Sequence, residues 1–450
     1  MTLVDPPLLA RTLSPLELTG ESLRSFADAI GAPTDACVRL HPAVCAEGLP
    51  FASDPVPWHA RGRWVRRADR PGARVAFAAA DYYVQDAGSL LVPTLAGVRP
   101  GEFVCDLCAA PGGKATAALE DLAGEGWLLA NETVHSRHPP LRFNLARHGA
   151  ANFLVSRLDP ESLAADRIAR FDVVLVDAPC SGQSLVGRGK QSLSAFEPAT
   201  IEHCARRERR ILEAAADLVR PGGRLVYATC TFSHDENEGL VGAFLADHRE
   251  WRPSPVAELA PWRVPEYEAC YRLWPHRDRC AGAFASRIER EPDSAAPVDG
   301  PIEAEPRSAR GARRLRWASA PREAVEWGEP AESGGLWIAE NDRVVWWPRR
   351  PPDWMLAVMH DGPEFAFRKQ TTWFPSYALA MRRDRSWIPA RRAELDLSAA
   401  ERYVMGEPIR SADRGWAVAV TGGRALGWLK GDGRLARNHL PKPGRFVPSS

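Results

Sequence analysis

FDVVLVDAPCSG, residues 171–182, decides the fold. Its apolar run Val173-Val174-Leu175-Val176 is what a strand covered on both faces looks like. Asp177 and Cys180 follow at the strand's carboxyl end, where open α/β sheets place their sites. Working outward, further candidate strands are Phe103–Cys108, Trp127–Asn131, Asn152–Leu158 and Arg224–Thr229. Helical stretches lie between them, notably Gly113–Leu122, His138–Arg147 and Ile201–Val219. Strands alternating with helices predict an α/β, Rossmann-like, doubly wound parallel sheet.

The flanks read differently. Residues 1 to about 45 look helical, with an irregular apolar face of Leu16, Leu18, Leu23, Phe26 and Ile30. Strand-like pieces at 62–66 and 75–77 follow, so 1–95 is expected to be an N-terminal α/β layer over a core domain at 96–288. Residues 289–312, rich in Pro, Ala, Ser and charge, have linker composition. A small mixed domain is expected at 313–390 and a β-rich module at 391–450, where Trp416–Val420, Gly422-Gly423 and Ala425–Leu429 form a hairpin pattern. Within 313–390, Trp337, Trp346, Trp347, Trp354 and Trp373 either fill a small core or stack bases.

Composition limits the function classes. Of 450 residues, 45% are hydrophobic and 26% charged, ordinary values for a globular protein. Nine Cys without a dense framework, no signal-like N-terminus and no long apolar run predict free thiols, a cytoplasmic protein and no membrane span. The net charge of +1 hides an asymmetry: residues 301–450 carry 25 Lys and Arg against 18 Asp and Glu. A basic C-terminal region on an acidic body points to a polyanionic partner.

Chemistry-bearing residues cluster at predicted strand ends. The first βα junction is DLCAAPGGK, 106–114, in which Gly112 and Gly113 let the backbone approach a ligand at a helix start. It is neither GxGxxG nor a P-loop, and the CxxC of Cys105 and Cys108 has no second pair to make a zinc site. Glu132 stands after the second strand, where a carboxylate grips ribose hydroxyls in such sheets, and Asp159 ends the third. YATCTFSHDENE, 227–238, ends the last strand in Cys230. One strand-end Cys reads first as a small buried hydrophobe, but two, Cys180 and Cys230, argue for chemistry.

Together, DLCAAPGGK, VDAPCSG and YATCTFSHDENE resemble the RNA cytosine-carbon-5 methyltransferases of the NOL1/NOP2/Sun family, in that family's order. QDAGS at 85–89, and RLWPH at 272–276 with Gly282-Ala283-Phe284, resemble its flanking motifs. Residues 400–445 resemble the RNA-binding, PUA-like end of the bacterial small-subunit ribosomal RNA branch. The resemblance implies that Cys108, Ala109, Ala110, Pro111, Gly112, Gly113 and Lys114 hold S-adenosyl-L-methionine, with Glu132 at its ribose and Asp159 at its adenine. It implies that Asp177 lies between cofactor and cytosine, that Cys230 is the nucleophile and that Cys180 assists product release. No metal is implied. The implied partner is RNA, as small-subunit (16S) ribosomal RNA or the assembled subunit, bound by a monomer.

Two positions depart from the family pattern: Ala283 replaces a second aromatic and Gly88 a frequent Ser. Residues 183–190 match its basic loop approximately. Lys114 and the helix amides are candidates for favouring a thiolate at Cys230, whereas His234 reads as a turn residue. Three competing readings stay open: a non-catalytic ribosome-assembly factor, a transfer RNA substrate, and the thiol roles exchanged as in DNA cytosine methyltransferases. Ser181-Gly182 after Cys180 argues against the last.

Overall fold

Strands β1 (Phe103–Asp106), β2 (Trp127–Asn131), β3 (Phe153–Ser156), β4 (Phe171–Asp177) and β5 (Val219–Thr229) run parallel in the spatial order 3-2-1-4-5. The sheet continues past β5 with antiparallel β8 (Ala283–Arg290), which also pairs β6 (Trp251–Pro253) and β7 (Cys270–Leu273). The computed structural model describes residues 20–165, 169–294, 316–332, 334–340 and 342–448, together with Leu9 and Leu18. Strand order reverses between β1 and β4, and in open α/β sheets the ligand crevice opens at the carboxyl ends beside such a reversal.

Alternation along β4 explains the sheet's burial. Val174 and Val176 pack with Leu225 and Tyr227 against helices α4 (Pro198–Leu218) and α5 (Glu238–Asp247). Val173 and Leu175 point the other way, with Val104 and Val226, against α1 (Gly113–Leu122) and the helix Leu91–Ala96. All four β4 residues are at most 1% exposed. At about 1.5–3 kcal/mol per fully buried aliphatic side chain, this strand is a large source of cohesion. Helix α2 (His138–His148) starts on two prolines and stops at left-handed Gly149.

The N-terminal region differs from expectation. Within residues 1–45 the described helix is Gly20–Ile30, and Ala36–Leu40 is the inner strand of an antiparallel sheet with Gly62–Val65 and Tyr82–Gln85; Val75–Ala78, expected to be strand-like, is a single helical turn. Cys37 and Val38 gain more from cross-strand burial against Trp64 and Val84 than helix propensity offers. The helix packs Phe26 edge-on to Phe232, centroids 4.8 Å apart, just past Cys230.

Strand β8 runs to Arg290, two residues past the expected linker start, because Glu289 and Arg290 still pair Arg224 and Trp251. The rest of the expected linker from 295 lies outside the described residues. A sheet including Leu336–Glu340, Arg343–Trp347 and Glu364–Lys369 docks on the β3 edge through a Val155–Asp361 bridge. Trp347 Nε1 donates to Phe153 O at 2.9 Å. The tryptophans therefore serve packing: Trp346 and Trp347 are at most 1% exposed, Trp337 stacks on Trp346, and Trp354 lies edge-on to Phe171. Base stacking is withdrawn for these four. Arg414–Thr421 and Arg424–Asp432 form the expected C-terminal hairpin. Among the described residues, no helix is long and apolar enough to cross a membrane.

Candidate active site

A cleft of about 740 Å³ opens at the carboxyl ends of β1, β2, β4 and β5. Cys108, Lys114, Glu132, Asp159, Asp177, Cys180 and Cys230 all line it. The register explains why the thiols meet. Asp177 pairs Ala228, so the chain leaves β4 and β5 at nearly the same level, three and two residues before Cys180 and Cys230. Their Sγ atoms are 3.3 Å apart, and the Cys230 amide donates to Cys180 Sγ at 3.4 Å. Both are free and half-buried. The hydrogen bond with Cys230, and then burial, push the Cys180 thiol well above its ordinary range. Cys180 therefore holds its proton more tightly than an ordinary thiol.

Lys114, in the first turn of α1, reaches across to Asp177, with Nζ 2.6 Å from Oδ2. Burial opposes the ammonium, but Asp177, then Asp106, outweigh it and raise its pKa. Asp106 beneath them is fully buried, and burial pushes its carboxyl up to about 7, with Lys114 opposing and Asp177 adding. The Lys114 ammonium is thus held between Asp177 and the buried Asp106 at the base of the cleft.

At the β2 end, Glu132 Oε1 accepts from the Val134 amide at 2.9 Å. Its Oε2 faces Arg137 Nη1 at 3.2 Å but accepts no hydrogen bond and is buried. A buried carboxylate oxygen without a donor fits a ribose hydroxyl supplied by a ligand. Asp159 is more exposed, and its Oδ1 accepts from the Glu161 amide at 3.0 Å, so it also starts helix α3 (Pro160–Ala165).

Not every expected ligand-holding residue reaches the cleft. Ala110 and Pro111 line it, but Ala109, Gly112 and Gly113 do not. Ala109 is buried, its amide bound to Asn131 O at 2.8 Å. Gly112 has φ +113°, and a Cβ there would meet Asn144 Cβ at 3.2 Å. Gly113 lies under Tyr83, and its carbonyl accepts from Arg39 Nη1 at 2.8 Å. These residues shape the turn. His234 is a turn residue as expected, its Nε2 3.0 Å from Tyr267 Oη.

The sequence reading missed three carboxylates that build the site. Asp86, in QDAGS, accepts from the Gly88 and Ala281 amides and pairs with Arg188, joining three loops at the cleft mouth. The two departures from the family pattern meet there: a Cβ on Gly88 would lie 3.1 Å from Ala283 Cβ. Glu236 and Glu208 are fully buried behind Cys180. Position in a motif was the available signal for Asp86 and Glu236; for Glu208, inside an amphipathic helix, there was none.

Burial, and then Glu236, push the Glu208 carboxyl up to about 9. The folded chain thus holds a proton that the unfolded chain releases above the ordinary glutamate value of 4.5. The associated stability is complete below pH 4.5 and is lost as pH rises towards 9. Thermal unfolding between pH 6 and 9 is expected to show Tm falling with pH, and Glu208→Gln is expected to flatten that fall. An equal slope in both proteins would remove Glu208 as the cause.

The strand order and strand-end cleft define a Rossmann-like sheet of the type that methyltransferases use. Residues 93–289 match the family described as “16S rRNA methyltransferase RsmB/F”, and 390–446 match “Methyltransferase RsmF PUA domain”. The first match spans the core sheet and carries all three motifs, as they led one to expect. Ribosomal RNA small subunit methyltransferase F of Citrobacter koseri is 31% identical over 317 residues, 68% of this chain and 64% of that protein. Its counterpart in Serratia proteamaculans is 30% identical over 245 residues, 53% of this chain and 51% of that protein. The match thus spans less than two thirds of either relative. A solved methyltransferase homolog from Pyrococcus horikoshii superposes with TM-score 0.54 and 26% identity, covering 64% of this chain and all of that one.

Proposed function

We propose that this chain methylates carbon 5 of a cytosine in RNA, with small-subunit (16S) ribosomal RNA as substrate and Cys230 as covalent nucleophile. One observation carries the reading: two free thiols 3.3 Å apart at adjacent strand ends, beside a carboxylate and a lysine. The proposal includes a monomer working in the cytoplasm. It also includes the partition into an N-terminal RNA-binding layer (1–95), the methyltransferase domain (96–288), a linker (289–312), a mixed domain (313–390) and a PUA-like module (391–450).

Carbon 5 of cytosine is a poor nucleophile. Addition of the Cys230 thiolate to carbon 6 makes it enamine-like. S-adenosyl-L-methionine, when bound, supplies the methyl group that carbon 5 takes. A base takes the carbon 5 proton, and the bond between Cys230 and carbon 6 then breaks, freeing the methylated product and the Cys230 thiolate. Asp177 uses Oδ2 for Lys114 and presents its other oxygen to the cytosine amino group. Cys180 keeps its proton beside Cys230 and serves release. Glu132 Oε2, Asp159, Cys108 and the 110–111 backbone would hold the cofactor. The base must leave its stack, which costs a few kcal/mol, less in a loop. Basic C-terminal side chains offset part of that through phosphate contacts.

The test uses purified protein, labelled S-adenosylmethionine and three substrates: assembled small subunits, bare 16S transcripts and transfer RNA. Label recovered as 5-methylcytosine on the first or second supports the reading. Label on transfer RNA alone replaces the substrate, and none on any RNA ends the proposal. Glu132→Ala is expected to weaken S-adenosylhomocysteine binding by about 10- to 100-fold, the effect of losing charge-assisted hydrogen bonds worth about 1.5–3 kcal/mol. Titration calorimetry measures it, and unchanged affinity would exclude Glu132 from the ligand site.

A further inference from the structure

Ser181 follows Cys180, Thr231 follows Cys230, and a single side chain holds both. Glu236 Oε2 accepts from the Ser181 amide at 2.7 Å, and its Oε1 accepts from Ser181 Oγ at 2.6 Å and Thr231 Oγ1 at 3.2 Å. The two hydroxyls also meet at 2.8 Å. We propose that Glu236 is the positioning residue that sets the separation of the two thiols and thereby the rate of product release.

The neighbouring contacts make the carboxylate a fixed point. Glu236 is fully buried, and its carbonyl accepts from Tyr227 Oη at 2.7 Å, which ties the turn back to β5. Asn237 beside it donates to Thr231 O at 3.0 Å and meets Thr229 Oγ1 at 2.6 Å. On the other loop, Gln191 Nε2 donates to Ser181 O at 2.9 Å. A role limited to starting α5 would aim the Glu236 carboxylate at that helix's amides. It points instead to the residues after each cysteine. Glu208 of α4 faces it from behind, with Tyr227 of β5 and Arg207 nearby, and burial keeps a proton in this acidic pair. The pair therefore carries one negative charge beneath the thiols instead of two.

Release needs the Cys180 S–H within hydrogen-bond reach of the adduct on Cys230, and misplacements near 1 Å cost about a hundredfold in such steps. Addition at carbon 6 needs Cys230 alone. Loosening the clamp therefore slows release and spares methyl transfer. This inference rests on the proposed covalent mechanism for its kinetic arm, and on geometry alone for its second arm.

The experiment compares full-length wild type with Glu236→Ala, Glu236→Gln and the double variant Ser181→Ala/Thr231→Val. Single-turnover methyl transfer and the KM for RNA are expected to stay near wild type. Steady-state kcat is expected to fall by about ten- to a hundredfold in Glu236→Ala, with a denaturation-resistant protein–RNA complex accumulating. Glu236→Gln, which keeps acceptors for Ser181 and Thr231, is expected to recover most of the rate. The second arm needs no RNA. Phenylarsine oxide condenses with two close thiols, forming two As–S bonds and releasing one water. Its affinity is expected to be lost in Cys180→Ala and to fall by about tenfold or more in Glu236→Ala, as the second thiol's effective concentration drops. If Glu236→Ala does not fold, the double variant gives both readings. Equal losses in single-turnover and steady-state rates, or unchanged arsenical affinity, would overturn the clamp. If wild type methylates no RNA, the function fails and the arsenical arm still decides the clamp.

Discussion

Cys230→Ala is expected to lower methylation by at least about three orders of magnitude and to leave no RNA–protein adduct, since loss of a covalent nucleophile acts on that scale. Cys180→Ala is expected to give the opposite signature, a covalent complex that accumulates because release stalls. The asymmetry has a physical origin. Of two thiols 3.3 Å apart, Cys180 is the one whose pKa is driven up, first by its hydrogen bond to Cys230. A proton held on Cys180 lies within hydrogen-bond reach of Cys230 Sγ. Cys230 also takes the amide contact inward, with its carbonyl held by the Ser184 amide at 3.1 Å, so its backbone is fixed while Sγ faces the cleft. Gel separation of labelled RNA under denaturing conditions reads both variants. An adduct in Cys230→Ala and none in Cys180→Ala would exchange the two roles.

The sheet was legible because the strands are covered on both faces. Val173–Val176 has to be apolar throughout, and such runs show in any sequence. The strand-end thiols were legible for a related reason: their positions in the chain fix their positions at the sheet edge. The strand at Ala36–Leu40 was not, because Cys37 and Val38 are buried by partners 27 and 46 residues away, Trp64 and Val84, that local periodicity does not report. Ala109, Gly112 and Gly113 were assigned to the ligand because a glycine-rich turn beside a helix start suits one. In the fold, close packing of that turn against Asn131, Asn144 and Tyr83 uses the same residues for shape.

The carboxylates show the limit of reading residues singly. Asp86, Glu208 and Glu236 act through geometry that joins loops distant in the chain, Asp86 to Ala281 and Glu236 to Ser181. Gly88 and Ala283 belong to the same joint. Each alone removes bulk at the cleft mouth, but their near contact means the two small residues accommodate one another. Loops at the cleft mouth are thus held by charge and backbone hydrogen bonds, whereas the strands beneath are held by apolar burial.

Arg272→Met is expected to destabilise the protein by about 3–5 kcal/mol, the cost of removing one partner from a buried ion pair. Arg272 Nη2 donates to Glu238 Oε2 at 2.5 Å, and Nε to Oε1, with the side chains 4% and 0% exposed. Methionine keeps most of the length of the stem but leaves Glu238 charged and unpartnered in the interior. The loss is also local to Cys230. Arg272 Nη1 donates to Phe232 O at 3.2 Å, two residues beyond Cys230, and the guanidinium sits 5.2 Å from the centroid of Trp274, itself stacked on Phe232. Hydrogen exchange is therefore expected to rise first across 230–240 and at the Gly20–Ile30 helix, whose Phe26 packs on the same rings. Removing both charges in Arg272→Met/Glu238→Leu is expected to cost far less than the single change, because no buried charge is stranded. Urea unfolding of the three proteins measures it. A single variant within about 1 kcal/mol of wild type would mean that water reaches Glu238 and that the pair does not hold the turn after Cys230.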